Sequence, residues 1–160
     1  MSEYLQELDA LQRWIKAAAG LNSVRLQAAP PAVARPVILW EAPRRSKRRE
    51  LSRWNYVAGV SQYGKLYAEN LDQLLAAETA LMQDLEAKGG VLPIYDQAGV
   101  QVAEIKAAAI EFMDSENLDV PLRVDYQVTY ARAIPPVIPP ASRVVTKLTT
   151  RDEGGTIIES

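Results

Sequence analysis

Tyr4, Leu8, Leu11 and Ile15 recur at helical spacing, Leu5 widens the stripe, and Gly20 stands where a helix would stop. This pattern predicts an amphipathic helix from about Ser2 to Ala19. Glu3, Glu7, Asp9, Arg13 and Lys16 occupy its other face, acidic early and basic late as the helix dipole favours, so that face is expected in solvent. The period then becomes two: Val24, Leu26 and Ala28 alternate with Arg25 and Gln27 before Pro30, Pro31 and Pro36, which predicts a short edge strand. Val37 to Trp40 is a continuous apolar run. From Leu51 to about Tyr63 alternation resumes, with Trp54, Tyr56, Ala58 and Val60 on one side. These two segments read as a strand hairpin whose long connecting loop holds the charged run Arg44–Glu50.

Helical spacing returns after Tyr67. Leu71, Leu74, Leu75, Leu81 and Leu85 lie in one stripe with Met82 nearby, Asn70 with Gln73 supplies an N-terminal cap, and Gly89-Gly90 ends the helix. A strand meander follows: Val91 to Tyr95, a turn at Asp96–Gly99, then Val100 to about Met113. Lys106-Ala107-Ala108-Ala109 in its middle has helix propensity and allows a short helix or a bend. Leu122, Val124, Tyr126, Val128 and Tyr130 keep a strict period of two, the clearest strand signal in the chain. The expected fold is therefore α+β, with a mostly antiparallel sheet of about four to five strands and two main helices packed on it.

Beyond residue 133 the character changes, with Pro135, Pro136, Pro139 and Pro140 in six residues. The division expected is one domain over 1–133 and an extended or disordered arm over 134–160. Within that arm Val144, Val145 and Leu148 can form a strand if a partner edge is available, and a neighbouring subunit's sheet is the sharper reading.

Composition removes much of the chemistry. There is no cysteine and no histidine among the 160 residues, which excludes disulfides, thiolate nucleophiles, Cys/His zinc sites and Ser-His-Asp arrangements. No apolar run approaches the roughly 20 residues of a membrane-spanning helix, and no secretory signal opens the chain. Glycine-rich phosphate loops are missing too, since Gly89-Gly90 follows a helix instead of opening one. A catalytic carboxylate pair needs convergence in a pocket, and Glu3, Glu7, Glu69, Glu78 and Glu86 fall on or beside helix surfaces. Asp114, Glu116 and Asp119 crowd a loop but lack the spacing of a calcium loop. No catalytic, cofactor-binding or metal residue is assigned, and a non-enzymatic role is expected.

Charge is the informative feature. Arg44, Arg45, Lys47, Arg48, Arg49 and Arg53 stand within ten residues that hold one acid, Glu50, so this segment carries +5 and the rest of the chain −7 against a total of −2. A cationic segment on an anionic body suits contact between protein subunits, which it would steer and orient. It can instead be an idle solvated loop, with Trp40 and Trp54 packing as cross-strand partners. A third reading is a nucleic-acid-binding hairpin in which those tryptophans stack on bases. Tyr56, Tyr63, Tyr67, Tyr126 and Tyr130 are expected mostly in the core or in cross-strand pairs.

The order of elements from about Ser2 to Ala133 resembles the tail terminator (tail completion) proteins of long-tailed bacteriophages. The likeness lies in the N-terminal amphipathic helix, the hairpin around Arg44–Arg49, the Leu-rich helix from Leu71 to Leu85 and the final alternating strand. It implies a structural virion protein at the tail end, assembled in the host cytoplasm as a six-membered ring. Such a ring caps the tail tube, ends its polymerisation and presents a surface for head joining. Its partners would be other copies of the chain, the tail tube protein, the head–tail connector and, in contractile tails, the sheath, with DNA only passing through the lumen. The residues expected at subunit or tube contacts are Arg44, Arg45, Lys47, Arg48, Arg49, Arg53, Val144, Val145 and Leu148.

Overall fold

A computed structural model describes residues 3–29 and 32–131. The elements run α1 (Glu3–Ala19), β1 (Asn22–Arg25), a single 3-10 turn (Leu26–Ala28), β2 (Val37–Trp40), β3 (Arg44–Glu50), β4 (Asn55–Tyr67), α2 (Leu71–Ala87), β5 (Leu92–Tyr95), β6 (Gln101–Phe112) and β7 (Asp119–Ala131). The class is α+β, as the alternation of periods predicts. Seven strands, more than the four to five expected, form one mixed sheet: six follow the order β1-β2-β4-β7-β6-β5, β3 pairs with β4 beside that path, and only the β1–β2 pair is parallel. The arm over 134–160, with Val144, Val145 and Leu148, lies outside the described residues.

The centre of the sheet is the β4–β7 pair, in register from Asn55 opposite Ala131 to Tyr67 opposite Asp119. Alternation decides which face is buried: Ala58, Val60 and Leu66 of β4 join Val120, Leu122, Val124, Tyr126 and Val128 of β7 in the core. Both α1 and α2 pack on that face. Leu8, Leu11, Trp14 and Ile15 supply the contact from α1, and Leu74, Ala77, Leu81 and Leu85 from α2. The sheet curls far enough for α1 to touch strands at both of its ends, β1 and β5. Trp14 Nε1 donates to Asp84 at 2.7 Å and so ties the two helices together.

The other edge of β4 is shared by two strands in succession. Val37–Trp40 pairs with Gly64–Tyr67, and Arg44–Glu50 pairs with Tyr56–Ser61, with a bulge between Arg45 and Lys47. The ladder breaks at Glu41–Pro43, where proline lacks the N–H a continuous strand requires. The exposed carbonyl there is satisfied from below: the fully buried Gln62 donates from Nε2 to the Glu41 carbonyl at 2.5 Å. The basic segment is therefore a strand and not the solvated loop that its charge suggests. Pairing to β4 decides its conformation, because strand geometry puts no penalty on long cationic side chains that reach solvent.

Three further expectations change. Trp40 and Trp54 are not cross-strand partners: Trp40 lies in the core against Gly64, and Trp54 sits half-exposed beside the short turn into β4. Lys106–Ala109 remains in β6 but contains a bulge, in which Ala107 and Ala108 stand against Tyr126 alone and Ala107 takes φ +50°. The freed Ala108 N–H donates to the Gly90 carbonyl at 3.0 Å, docking the end of α2 on the sheet. On α2, Leu71, Leu75 and Met82 are exposed and do not share the buried stripe. The cap holds as read, with Gln73 N–H donating to Asn70 Oδ1 at 2.8 Å.

Candidate interaction surface

Strand β3 brings part of the basic segment to a free sheet edge and turns one member inward. Arg45 opposes Val60, a core-facing position, and its guanidinium reaches the N-terminal half of α1. Arg45 Nη2 donates to Glu7 Oε1 at 3.1 Å, Arg45 Nη1 donates to Tyr130 Oη at 2.9 Å, and the guanidinium lies over the Tyr130 ring. Tyr126 Oη completes the cluster by donating to Glu7 Oε2 at 2.8 Å. Glu7 is only 1% exposed, which corrects the expectation of a solvated helix face. Burial pushes its carboxyl above the usual glutamate range, against the opposing pulls of the Tyr126 hydroxyl and Arg45. Burial, with the Glu7 charge beside it, also pushes the Tyr126 phenol far up.

The remaining basic residues divide by position. Arg44 opposes Ser61 and lies over the Tyr63 ring, 5.5 Å from its centre. Arg49 is exposed beside Val57 in the ladder. Arg53 stands over the Trp54 ring in the turn. Lys47 and Arg48 are placed by their backbone register, opposite Gly59 and Ala58, and their side chains lie outside the described atoms. On the helix-free face, Arg123 pairs with Asp125 and Glu111 at 2.8 Å each, and Ser61 Oγ donates to Asp125. Tyr56 and Tyr130 stack across the β4–β7 ladder at 5.5 Å, the cross-strand pairing expected of the tyrosines.

The charge of the chain separates along this curved sheet. Glu69 to Glu104, which covers α2, β5 and the start of β6, holds seven acids and one lysine. β3 and β5 are separated by β4, β7 and β6, four inter-strand steps or roughly 19 Å along the sheet. Neither strand has a second strand partner among the described residues; β3 is rich in cations, β5 itself carries no charge, and the acids lie around it on α2, in the turn at Asp96 and at Glu104.

Among the described residues no three acidic side chains approach closely enough to hold a metal ion, and Asp119 pairs with Arg35 at 2.8 Å. No helix there is long and apolar enough to cross a membrane. Comparison with protein-family models and with curated proteins finds no match to this chain.

Sequence reasoning missed Glu7 and Gln62. Glu7 stands at i+3, i+4 and i+7 spacing from the buried Ala10, Leu11 and Trp14, a signal of burial that its charge conceals. Gln62 continues the core-facing period of Ala58 and Val60, a signal that its polarity conceals.

Proposed function

We propose that the chain is a structural subunit that assembles head to tail into a closed ring and caps a bacteriophage tail tube, ending its growth and offering a surface for head joining. The observation that carries this reading is the separation of the cationic strand β3 from the acidic surface of α2 and the Asp96–Glu104 region. Two oppositely charged regions on one subunit favour heterologous contact, which closes into a ring when the rotation between neighbours permits. The resemblance in element order supplies the identity of the ring and its expected six members. Copies of the chain, the tail tube protein, the head–tail connector and, where present, the sheath are the proposed partners, and virion tail end the proposed location.

The nucleic-acid reading is weaker. Trp40 is buried and Arg45 is turned toward Glu7, which removes one stacking platform and one phosphate contact from the proposed reading head. Electron microscopy of purified tail tubes mixed with the full chain tests the ring reading. A collar at one tube end with elongation halted is the expected result; tubes that lengthen unchanged and bare would refute it.

A further inference from the structure

Leu71, Leu75 and Met82 are 59%, 52% and 52% exposed and lie within about 40° of one another around α2, at 100° per residue. They form an apolar stripe beside the buried one. At its Met82 end the stripe opens into a groove of about 410 Å³ between α2 and the β6 bulge, lined by Leu85, Gly90, Ala108 and Ile110 among others. The border is acidic: Glu78 and Glu86 flank the stripe on α2 and Asp72 lies near its start, whereas Asp84 points elsewhere and is paired with Trp14 and Lys88. An occupant must be apolar and cationic.

One segment of this same chain has that composition. Arg143 to Arg151 contains Val144, Val145 and Leu148 with Arg143, Lys147 and Arg151, and no acid. We infer that this C-terminal segment of one copy docks on the α2 stripe and groove of a second copy. The direction of β7 favours a second copy over the chain's own groove. The groove lies level with Tyr126, opposite the bulge, whereas β7 runs on to Ala131, five residues or about 17 Å farther from it. Pro135, Pro136, Pro139 and Pro140 then favour continued extension. Eleven residues lie between Ala131 and Arg143, and the twelve steps across them reach up to roughly 37 Å in that conformation. Strand β7 thus leaves its own groove behind, which favours a neighbour's groove, while the reach spans either one, and crosslinking separates the two.

The proposal rests on the reading that copies associate, but it adds a contact independent of the basic edge. Because the chain has no cysteine, it can be tested with single thiols in the full chain. Met82→Cys and Val145→Cys proteins are mixed and mildly oxidised, and a double variant is oxidised alone. The inference expects a mixed disulfide dimer about tenfold more abundant than the Met82→Cys homodimer, as high local concentration dictates. Adding Glu78→Lys and Glu86→Lys to the Met82→Cys partner should suppress it. A double variant that closes only within one chain overturns docking on a neighbour. Association by light scattering without the mixed disulfide overturns the docking and leaves the assembly reading standing; no association at all overturns both.

Discussion

Glu7 and Arg45 meet at 3.1 Å with the carboxylate buried and the guanidinium 38% exposed on its side-chain surface. The pair joins the first helix to the basic strand, so Arg45 belongs to the fold while Arg44, Arg49 and Arg53 remain at the edge. A buried carboxylate without its cation and hydrogen-bond donors is costly, and removing the carboxylate leaves Tyr126 Oη without its acceptor. Glu7→Ala should therefore destabilise the protein by about 2 kcal/mol in urea unfolding, a value moderated by the access of Arg45 to water.

The pH dependence has a definite sign. Folding raises the Glu7 pKa, so the folded state holds its proton more strongly than the unfolded chain. This contribution to stability is present below the ordinary glutamate range and falls as pH rises through it to the raised value. Glu7→Gln should flatten the part of the stability profile that begins at the ordinary glutamate range and continues above it. An unaltered slope in the variant would place the titration elsewhere.

The basic segment should split under mutation. Arg45→Ser should lower the unfolding midpoint, whereas Arg44→Ser with Arg49→Ser should leave it within about 0.5 kcal/mol of the parent and weaken self-association. Chemical denaturation and sedimentation velocity on the same samples check both halves.

Gly64 lies under Trp40, and an added Cβ would stand 2.8 Å from Trp40 Cε3 and 2.9 Å from the Leu39 carbonyl oxygen. The tryptophan is enclosed and the carbonyl is backbone, so neither can move aside freely. Gly64→Ala is expected to cost about 1–3 kcal/mol, read as a lower midpoint in thermal or urea unfolding. Gly90→Ala meets the same obstacle at Ala108, with φ +71° adding backbone strain.

Where one periodicity ran uninterrupted, the residues alone located the elements: the Leu71–Leu85 helix with its Asn70 cap, and the strand through Leu122–Tyr130. Where partner choice decides structure, they did not. Arg44–Glu50 has the composition of a solvated loop and becomes a strand because β4 extends past β2 and offers an open edge. Leu71, Leu75 and Met82 look like core because hydrophobicity records size and not which side of a helix meets the sheet. Glu7 looks like surface because its cation comes from a strand 38 residues away. The segregation of charge was legible as a count; its division between strand β3 and the surface of α2 required the topology.

The most direct measurement is a charge exchange between the two regions. One full-length variant carries Arg44→Glu and Arg49→Glu, the other Glu69→Lys and Glu104→Lys, and each is weighed by sedimentation velocity alone and mixed in equal amounts. Head-to-tail electrostatic contact predicts that neither variant assembles alone and that the mixture forms closed complexes with an even number of alternating subunits. Assembly of either variant like the parent, or a mixture that stays monomeric under conditions where the parent assembles, would contradict the account.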